Sequence, residues 1–405
     1  MRSDVPVAAL LSAGLDSSLL VAIAHSLGYA LPTYTAQFDS HEWDESEHAA
    51  GLSRHLGLGH RTVPVGRDLV DQYEQMLWHC ESPHMFPVAL PLMGLAQQLQ
   101  SDRYKVALTG EGADEVFAGY DCFRQEKLRR LLRRLPFQRL KGAAYERFLY
   151  RWMRMPREVI ELALANESRT ADIVRDFGFR PPWYDLWQLC YSGVDDLFSP
   201  EVQDATGGRP FVTTLPVEGT SLREALLRSQ QDWLSGALFF EMRTRLPSYI
   251  LLMCDRALMG YGVEGRPPFL DHRIVDFAVR LPPEMKLRGL REKSLLRDVA
   301  RRYVPKDTAE RKKRPFFMPM DSYFFTPTVP EWIQDLLSER ELRATQLFRP
   351  EAVQKLVLQA TSSSSPFLTL QSRMLLLQVI NSQVLAKQFG QVPRLGGALH
   401  SEMSG

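Results

Sequence analysis

Between Val5 and Thr109 short apolar runs alternate with amphipathic stretches, and this alternation restricts the fold more than any other feature of the chain. "VPVAALL" (5–11), "LPTYTAQF" (31–38), "HRTVPV" (60–65) and "YKVALT" (104–109) read as strands. Between them, "DSSLLVAIAHSLG" (16–28), "DESEHAAGLSRHLG" (44–57), "RDLVDQYEQMLWHC" (67–80) and "PVALPLMGLAQQLQ" (87–100) carry apolar residues at helical spacing. Strands separated by helices of about ten to fifteen residues pair in parallel through right-handed crossovers. The expected class is therefore α/β, with a parallel, doubly wound sheet. Ligands of such sheets sit beyond the carboxyl ends of the strands. Two conspicuous loops, "SAGLDSS" (12–18) and "TGEGADE" (109–115), fall there.

After residue 120 the sequence turns helix-rich, Arg-rich and Trp-rich, with few strand signals. The expected organisation is an α/β core over 1–120, a helical insertion over 121–245, a helical C-terminal part over 246–385 that completes the active site, and a tail over 386–405. "GGRPFVTTLPVEGT" (207–220) and "TSSSSP" (361–366) read as loops. Lys and Arg number 49 against 48 Asp and Glu, so no overall field draws the molecule to nucleic acid or to a membrane, and any anion site must be local. The basic stretch "EKLRRLLRRLPFQRLK" (126–141) reads as a solvated face, or less readily as a dock for an acidic partner. Cys80, Cys122, Cys190 and Cys254 lie far apart without a CxxC pair, which argues against a disulfide framework or a zinc module and fits a reducing cytoplasm. His41, His48, His55 and His60 have no ligand spacing. No apolar run is long enough for a transmembrane helix, and the N-terminus lacks a usable signal peptide.

The first loop joins a strand to a helix. Backbone N–H groups at a helix start, with the hydroxyls of Ser12, Ser17 and Ser18, form a nest for pyrophosphate. Asp16 suits such a place only if a divalent cation bridges it to phosphate, which implies magnesium. An ordinary capped turn reads equally well from this loop alone. No GxxxxGK[ST] occurs, so this is not a Walker loop. The second loop sets Glu111, Asp114 and Glu115 together, and carboxylates so close call for a positive charge nearby.

"LLSAGLDSS" resembles the pyrophosphate loop of the N-type ATP pyrophosphatases, and "TGEGADEVFAGY" resembles the signature of asparagine synthetases. "CDRALMGYGVEGRPPFLDHRIVDFAVRLPPEMK" (254–286), "REKSLLRDVARRYVP" (291–305) and "RKKRPF" (311–316) match the same family in the same order. The resemblance covers the ATP-using synthetase domain and implies an adenine nucleotide α-hydrolase-like fold. It implies adenylation of a carboxylate by ATP with release of pyrophosphate, then transfer to ammonia or an amine. On the matching positions, Asp16 and Asp114 would hold Mg2+ against the triphosphate. Glu111 would orient the incoming nitrogen or take its proton, and Lys293 would neutralise charge at the α-phosphate. Arg311 and Lys313 would hold departing pyrophosphate. Leu11, Gly14 and Ala36 are expected near the nucleotide through their backbones, with Thr109 and Gly110 near the sugar. Glu115 reads first as a partner of the helix dipole. Asp255, Arg256, Glu264 and Arg266 read either as a buried ion-pair lattice or as substrate contacts.

Departures from the family pattern loosen the substrate. The first strand begins close to Met1, so no glutaminase is expected within this sequence. The chain is then a fragment, draws ammonia from a separate glutaminase, or uses an amine on a larger substrate. A second copy of the chain is a further candidate partner. Ala13 stands where the family has glycine, and if that position needs positive φ alanine costs about 1 kcal/mol and crowds the phosphate. Ile250 and Met253 replace polar residues of the acceptor region and leave free aspartate few anchors. The retained Glu111 favours an intermolecular amide. Two other readings are a degenerate homologue serving as a scaffold or partner subunit, and a tRNA-modifying ATP pyrophosphatase. The latter lacks paired cysteines and a basic excess.

Overall fold

Five short strands pair in parallel in the order β3-β2-β1-β4-β5: β1 Val7–Leu10, β2 Thr33–Phe38, β3 His60–Val65, β4 Val106–Leu108 and β5 Glu264–Arg266. They belong to a computed structural model that describes residues 3–39, 44–84, 86–133, 174, 177–184, 191, 193–207, 232–312, 324–325, 329–362 and 366–390. The crossovers are helices α1 (Leu15–Ser26), α2 (Ser46–His55), α3 (Tyr73–Cys80) and α4 (Ala89–Ser101). A 3-10 turn over Arg67–Gln72 leads into α3. Two helices follow β4, α5 (Ala113–Phe117) and α6 (Asp121–Arg133).

Alternation along the strands decides what covers the sheet. In β1, Ala8 packs into a core shared with α3, α4 and the C-terminal helices, whereas Ala9 packs into a second core with α1, α2 and α5. Both faces are therefore buried, as a doubly wound parallel sheet requires. β3 is an edge strand and accommodates Pro64 there. Sequence periodicity missed β5. Its three residues, Glu264, Gly265 and Arg266, have little intrinsic strand preference and become a strand by pairing with Val106, Ala107 and Leu108.

The chain runs β1, β2, β3 to one side and then returns to place β4 on the other side of β1. The carboxyl ends of β1 and β4 thus form the topological switch point, where a crevice opens between diverging crossovers.

Two side-chain expectations need correction. The start of the basic stretch is not a solvated face, because Glu126 and Arg129 are buried and Arg130 lies over the Trp233 ring, 5.2 Å from its centroid. Arg130 also pairs with Glu126 at 2.8 Å. Nor do residues 255–266 form a buried lattice. Arg266 pairs with Glu264 at 2.7 Å, and Arg256 pairs with Glu81 at 2.9 Å, all four partly or largely exposed. The loop expected over 207–220 lies outside the described residues beyond Gly207. No helix among the described residues is long and apolar enough to cross a membrane.

Candidate active site

The turn after β1 is held open by its serines. The backbone N–H of Ser12 donates to Ser17 Oγ at 3.2 Å, and the two hydroxyls lie 3.2 Å apart. Ser17 Oγ also donates to the Gly14 carbonyl at 3.4 Å. Gly14 is the last residue before α1, and none of its neighbours caps the helix with a side chain. Ala13 has φ 54°, the left-handed conformation that the missing glycine would favour. The Ser18 hydroxyl and Asp16 Oδ1 are buried without a hydrogen-bond partner among the described residues. Buried polar atoms are rarely left so, and an orphaned pair at a helix start calls for a ligand. Leu11 N–H donates to the Tyr34 carbonyl at 2.9 Å. Ala36, two residues on, therefore turns its backbone to the same side of β2 but beyond the last residue of β1.

The turn after β4 lies directly against this one. A Cβ added to Gly110 would stand 3.2 Å from Ser17 N and 3.3 Å from Asp16 Cβ, so the two backbones are in contact. Thr109 is buried, and its N–H donates to the Arg266 carbonyl at 2.9 Å. From these two turns the carboxylates of Asp16 and Asp114 converge on one ammonium: Lys293 Nζ lies 2.5 Å from Asp16 Oδ2 and 2.7 Å from Asp114 Oδ1. All three residues are buried. Lys293 has φ 50° and immediately precedes the helix Ser294–Ala300. Two contacts that the sequence did not reveal hold it there. Any Cβ on Gly119 would overlap both Asp114 Oδ1 and Lys293 Cε, so only glycine leaves room for the lysine. Buried Arg297 donates to the carbonyls of Ala309 and Arg311 at 2.8 and 3.0 Å and pairs with Glu292, fixing the segment that carries Lys293.

Glu111 is half-buried and near enough to Cys254 that its charge, after burial itself, pushes the thiol upward. Glu115 sits in the first turn of α5, and its surroundings exceed a helix-dipole contact. Tyr120 Oη donates to Glu115 Oε1 at 2.5 Å, and Arg245 Nη2 lies 3.7 Å from the same oxygen. Arg245 also pairs with the fully buried Glu241 at 2.7 Å and stacks between the Tyr120 and Trp183 rings, 4.5 Å from each centroid. Burial, and then the charge of Asp114, lift the Glu115 carboxyl to about 7. Arg245 and Trp183 stand far from the motifs in sequence, and no spacing signal pointed to them.

Of the basic arm, Arg311 pairs with Glu45 at 2.9 Å, while Lys313 lies outside the described residues. Leu11, Ser12, Gly14, Asp16, Ser17 and Ser18 are brought together with Thr109, Gly110, Asp114 and Lys293 at the switch point.

Comparison with known proteins identifies the family. The asparagine synthase family matches residues 1–381. The glutamine-hydrolyzing asparagine synthetase 1 of Bacillus subtilis (strain 168) is 28% identical over 347 residues, covering 85% of this chain and 51% of that protein. Asparagine synthetase 3 of the same organism is 28% identical over 385 residues, 90% of this chain and 53% of the relative. The amidase chyE of Penicillium rubens is 27% identical over 436 residues, 98% of this chain and 61% of the relative. The chain thus spans between about half and three-fifths of the length of these relatives.

Proposed function

The chain belongs to the asparagine synthase family, and on that premise we propose that it is an ATP-dependent amide-forming ligase. It adenylates a substrate carboxylate, releases pyrophosphate, and passes the acyl group to ammonia or an amine. One observation carries this: carboxylates from the turns after β1 and β4 meet at a single buried ammonium, where the sheet opens.

The residues present fit a magnesium–ATP complex. Mg2+ takes one or two carboxylates and fills its remaining positions with phosphate oxygens and water. Asp16 and Asp114 offer that pair, and Asp16 Oδ1 has no hydrogen-bond partner among the described residues. Bound there, the metal would offset the charge of the triphosphate. Lys293 holds the two aspartates apart from each other's repulsion until the nucleotide supplies other partners. Its ammonium is then available to the α-phosphate and to the carbonyl oxygen, where negative charge develops. The β1 turn offers backbone N–H groups and serine hydroxyls to the phosphates. Glu111 faces the nitrogen nucleophile. In the first step a carboxylate oxygen of the substrate bonds to the α-phosphorus and pyrophosphate leaves. In the second, nitrogen adds to the acyl carbon, AMP leaves, and the surplus proton passes to Glu111. Holding two anions in register is most of the catalytic task. Relatives named as glutamine-hydrolyzing support a glutaminase as one source of ammonia.

Ala13 favours a second reading, a catalytically degenerate homologue acting as a scaffold or partner subunit, since its methyl occupies a left-handed turn of the phosphate loop. Pyrophosphate release from ATP and Mg2+, measured against a panel of carboxylic acids with ammonium or an amine present, separates the two. The ligase releases pyrophosphate only when a suitable acid is added. Asp16→Asn and Lys293→Ala abolish release, and Glu111→Ala impairs amide formation more than adenylation. Silence across the panel, or full activity of Asp16→Asn, overturns the ligase assignment.

A further inference from the structure

Lys293 and Arg311 are carried on one bracket. Arg297 Nε donates to the Glu292 carbonyl at 3.1 Å, and Arg297 Nη1 donates to the Arg311 carbonyl at 3.0 Å. One buried guanidinium thus ties the peptide that enters Lys293 to the peptide that leaves Arg311, so neither can shift without the other. The short helix Lys306–Glu310, which delivers Arg311, packs on α1, the helix that the β1 turn starts. Its Ala309 belongs to the same packed core as Leu11, Ala13 and Leu15 of that turn.

The side chain of Arg311 meets a carboxylate there. Its Nη2 donates to Glu45 Oε1 at 2.9 Å, and the two side chains are only 16% and 17% exposed, so solvent screens the pair little. Glu45 is the residue before α2, and its neighbour sets its place. Asp44 Oδ1 accepts from the N–H of Phe38, the last residue of β2, at 3.3 Å and from the Ser46 N–H, the first of α2, at 3.2 Å. Glu45 therefore stands at the carboxyl end of β2, the strand beside β1.

Three adjacent strand ends, those of β2, β1 and β4, thus each present a carboxylate to a cation on the bracket: Glu45 to Arg311, and Asp16 and Asp114 to Lys293. A divalent metal can take over the two aspartates. Glu45 has a different relation to a phosphate ligand. The planar fork of an arginine that pairs with a carboxylate pairs equally with a phosphate, and two anions on one guanidinium repel each other at contact.

Resting on the ligase assignment above, we propose that Glu45 is a positioning residue for product release: it competes with departing pyrophosphate for the Arg311 guanidinium and takes it back as the product leaves. Pyrophosphate is then held tightly enough to stabilise the leaving group and loosely enough to go.

The test is calorimetric titration of magnesium pyrophosphate into the full chain, as wild type, Glu45→Gln, Arg311→Gln and the double variant, with thermal unfolding to check that each is folded. Glu45→Gln binds pyrophosphate at least about fivefold more tightly than the wild type, and Arg311→Gln at least about tenfold more weakly. The double variant matches Arg311→Gln within about twofold, because Glu45 acts only through Arg311. In turnover, with AMP formation followed on the best acid of the panel, added pyrophosphate inhibits Glu45→Gln at correspondingly lower concentration, and KM for the acid does not move. Weaker binding by Glu45→Gln overturns the proposal and makes Glu45 a residue that aims Arg311 at pyrophosphate. Unchanged binding also overturns it and leaves the pair a brace between α2 and the Arg311 segment. So does a tightening that persists without Arg311, which is a general effect of charge. Absence of pyrophosphate binding by the wild type overturns it as well, whereas the ligase assignment stands or falls on acid-dependent release.

Discussion

Lys293 between Asp16 and Asp114 is a charge arrangement that serves two states of the site. Without it, two buried carboxylates would face each other, at a cost of several kcal/mol per unpaired ion. With it, the pair keeps one net negative charge, which suits a metal-bearing ligand better than a bare anion. The arrangement depends on Gly119, which no charge argument would have singled out. Gly119→Ala drives a methyl into Lys293 and Asp114. Pyrophosphate release by that variant should fall by at least about 100-fold, with KM for ATP raised, while circular dichroism shows the fold retained. Normal turnover would mean that Lys293 need not occupy this position. Ala13 poses the opposite case, a residue whose removal should help. Ala13→Gly relieves a left-handed alanine, so the thermal midpoint should rise by about 1 °C, equivalent in a chain of this length to about 1 kcal/mol, and KM for ATP should fall. A lower midpoint would show that the turn is not strained.

Among the elements, α5 is the one that couples the site to the helical part of the chain. It spans only Ala113–Phe117, yet it carries Asp114 toward Lys293 and Glu115 toward the Arg245, Tyr120 and Glu241 cluster. The Glu115 carboxyl, held near 7 when folded against 4.5 for an unperturbed glutamate, binds its proton more tightly in the native state. Stability from this group is therefore fully present below about pH 4.5 and is lost as pH rises through about 7, a difference of order 3 kcal/mol. Glu115→Gln cannot titrate. Urea unfolding should show the wild type losing stability relative to the variant between pH 5 and pH 8, by about 2–3 kcal/mol. Parallel pH profiles for the two proteins would place the Glu115 titration outside this window. This cluster was illegible in sequence because Trp183, Glu241 and Arg245 come from segments with no spacing in common with the "FAGY" that contributes Tyr120. The strands and crossovers were legible, since buried strands and amphipathic helices each impose a period. β5 was not, because a three-residue edge strand is made by its neighbour rather than by its own composition.

At the scale of the whole molecule, the order β3-β2-β1-β4-β5 brings residue 16 and residue 114 together, although 97 residues lie between them in the sequence. The sequence carried both turns as motifs, and strand alternation located them at carboxyl ends. That their carboxylates converge was implied by the family resemblance and not by spacing or periodicity; what brings them together is β4 pairing beside β1 and the Arg297 clamp that sets Lys293 between them. The helical run from Leu246 to Met259 packs Met253, Cys254, Ala257 and Leu258 into the core on the Ala8 face of the sheet.

Calorimetric titration of Mg2+ with a non-hydrolysable ATP analogue into the wild type, Asp16→Asn, Asp114→Asn and the double variant tests the shared site most directly. If both aspartates serve one metal–nucleotide complex, each single substitution weakens binding by at least about tenfold, about 1.4 kcal/mol, and the double variant is weaker than the poorer single by no more than about twofold. Losses that multiply independently in the double variant, or wild-type affinity in either single, would contradict the account.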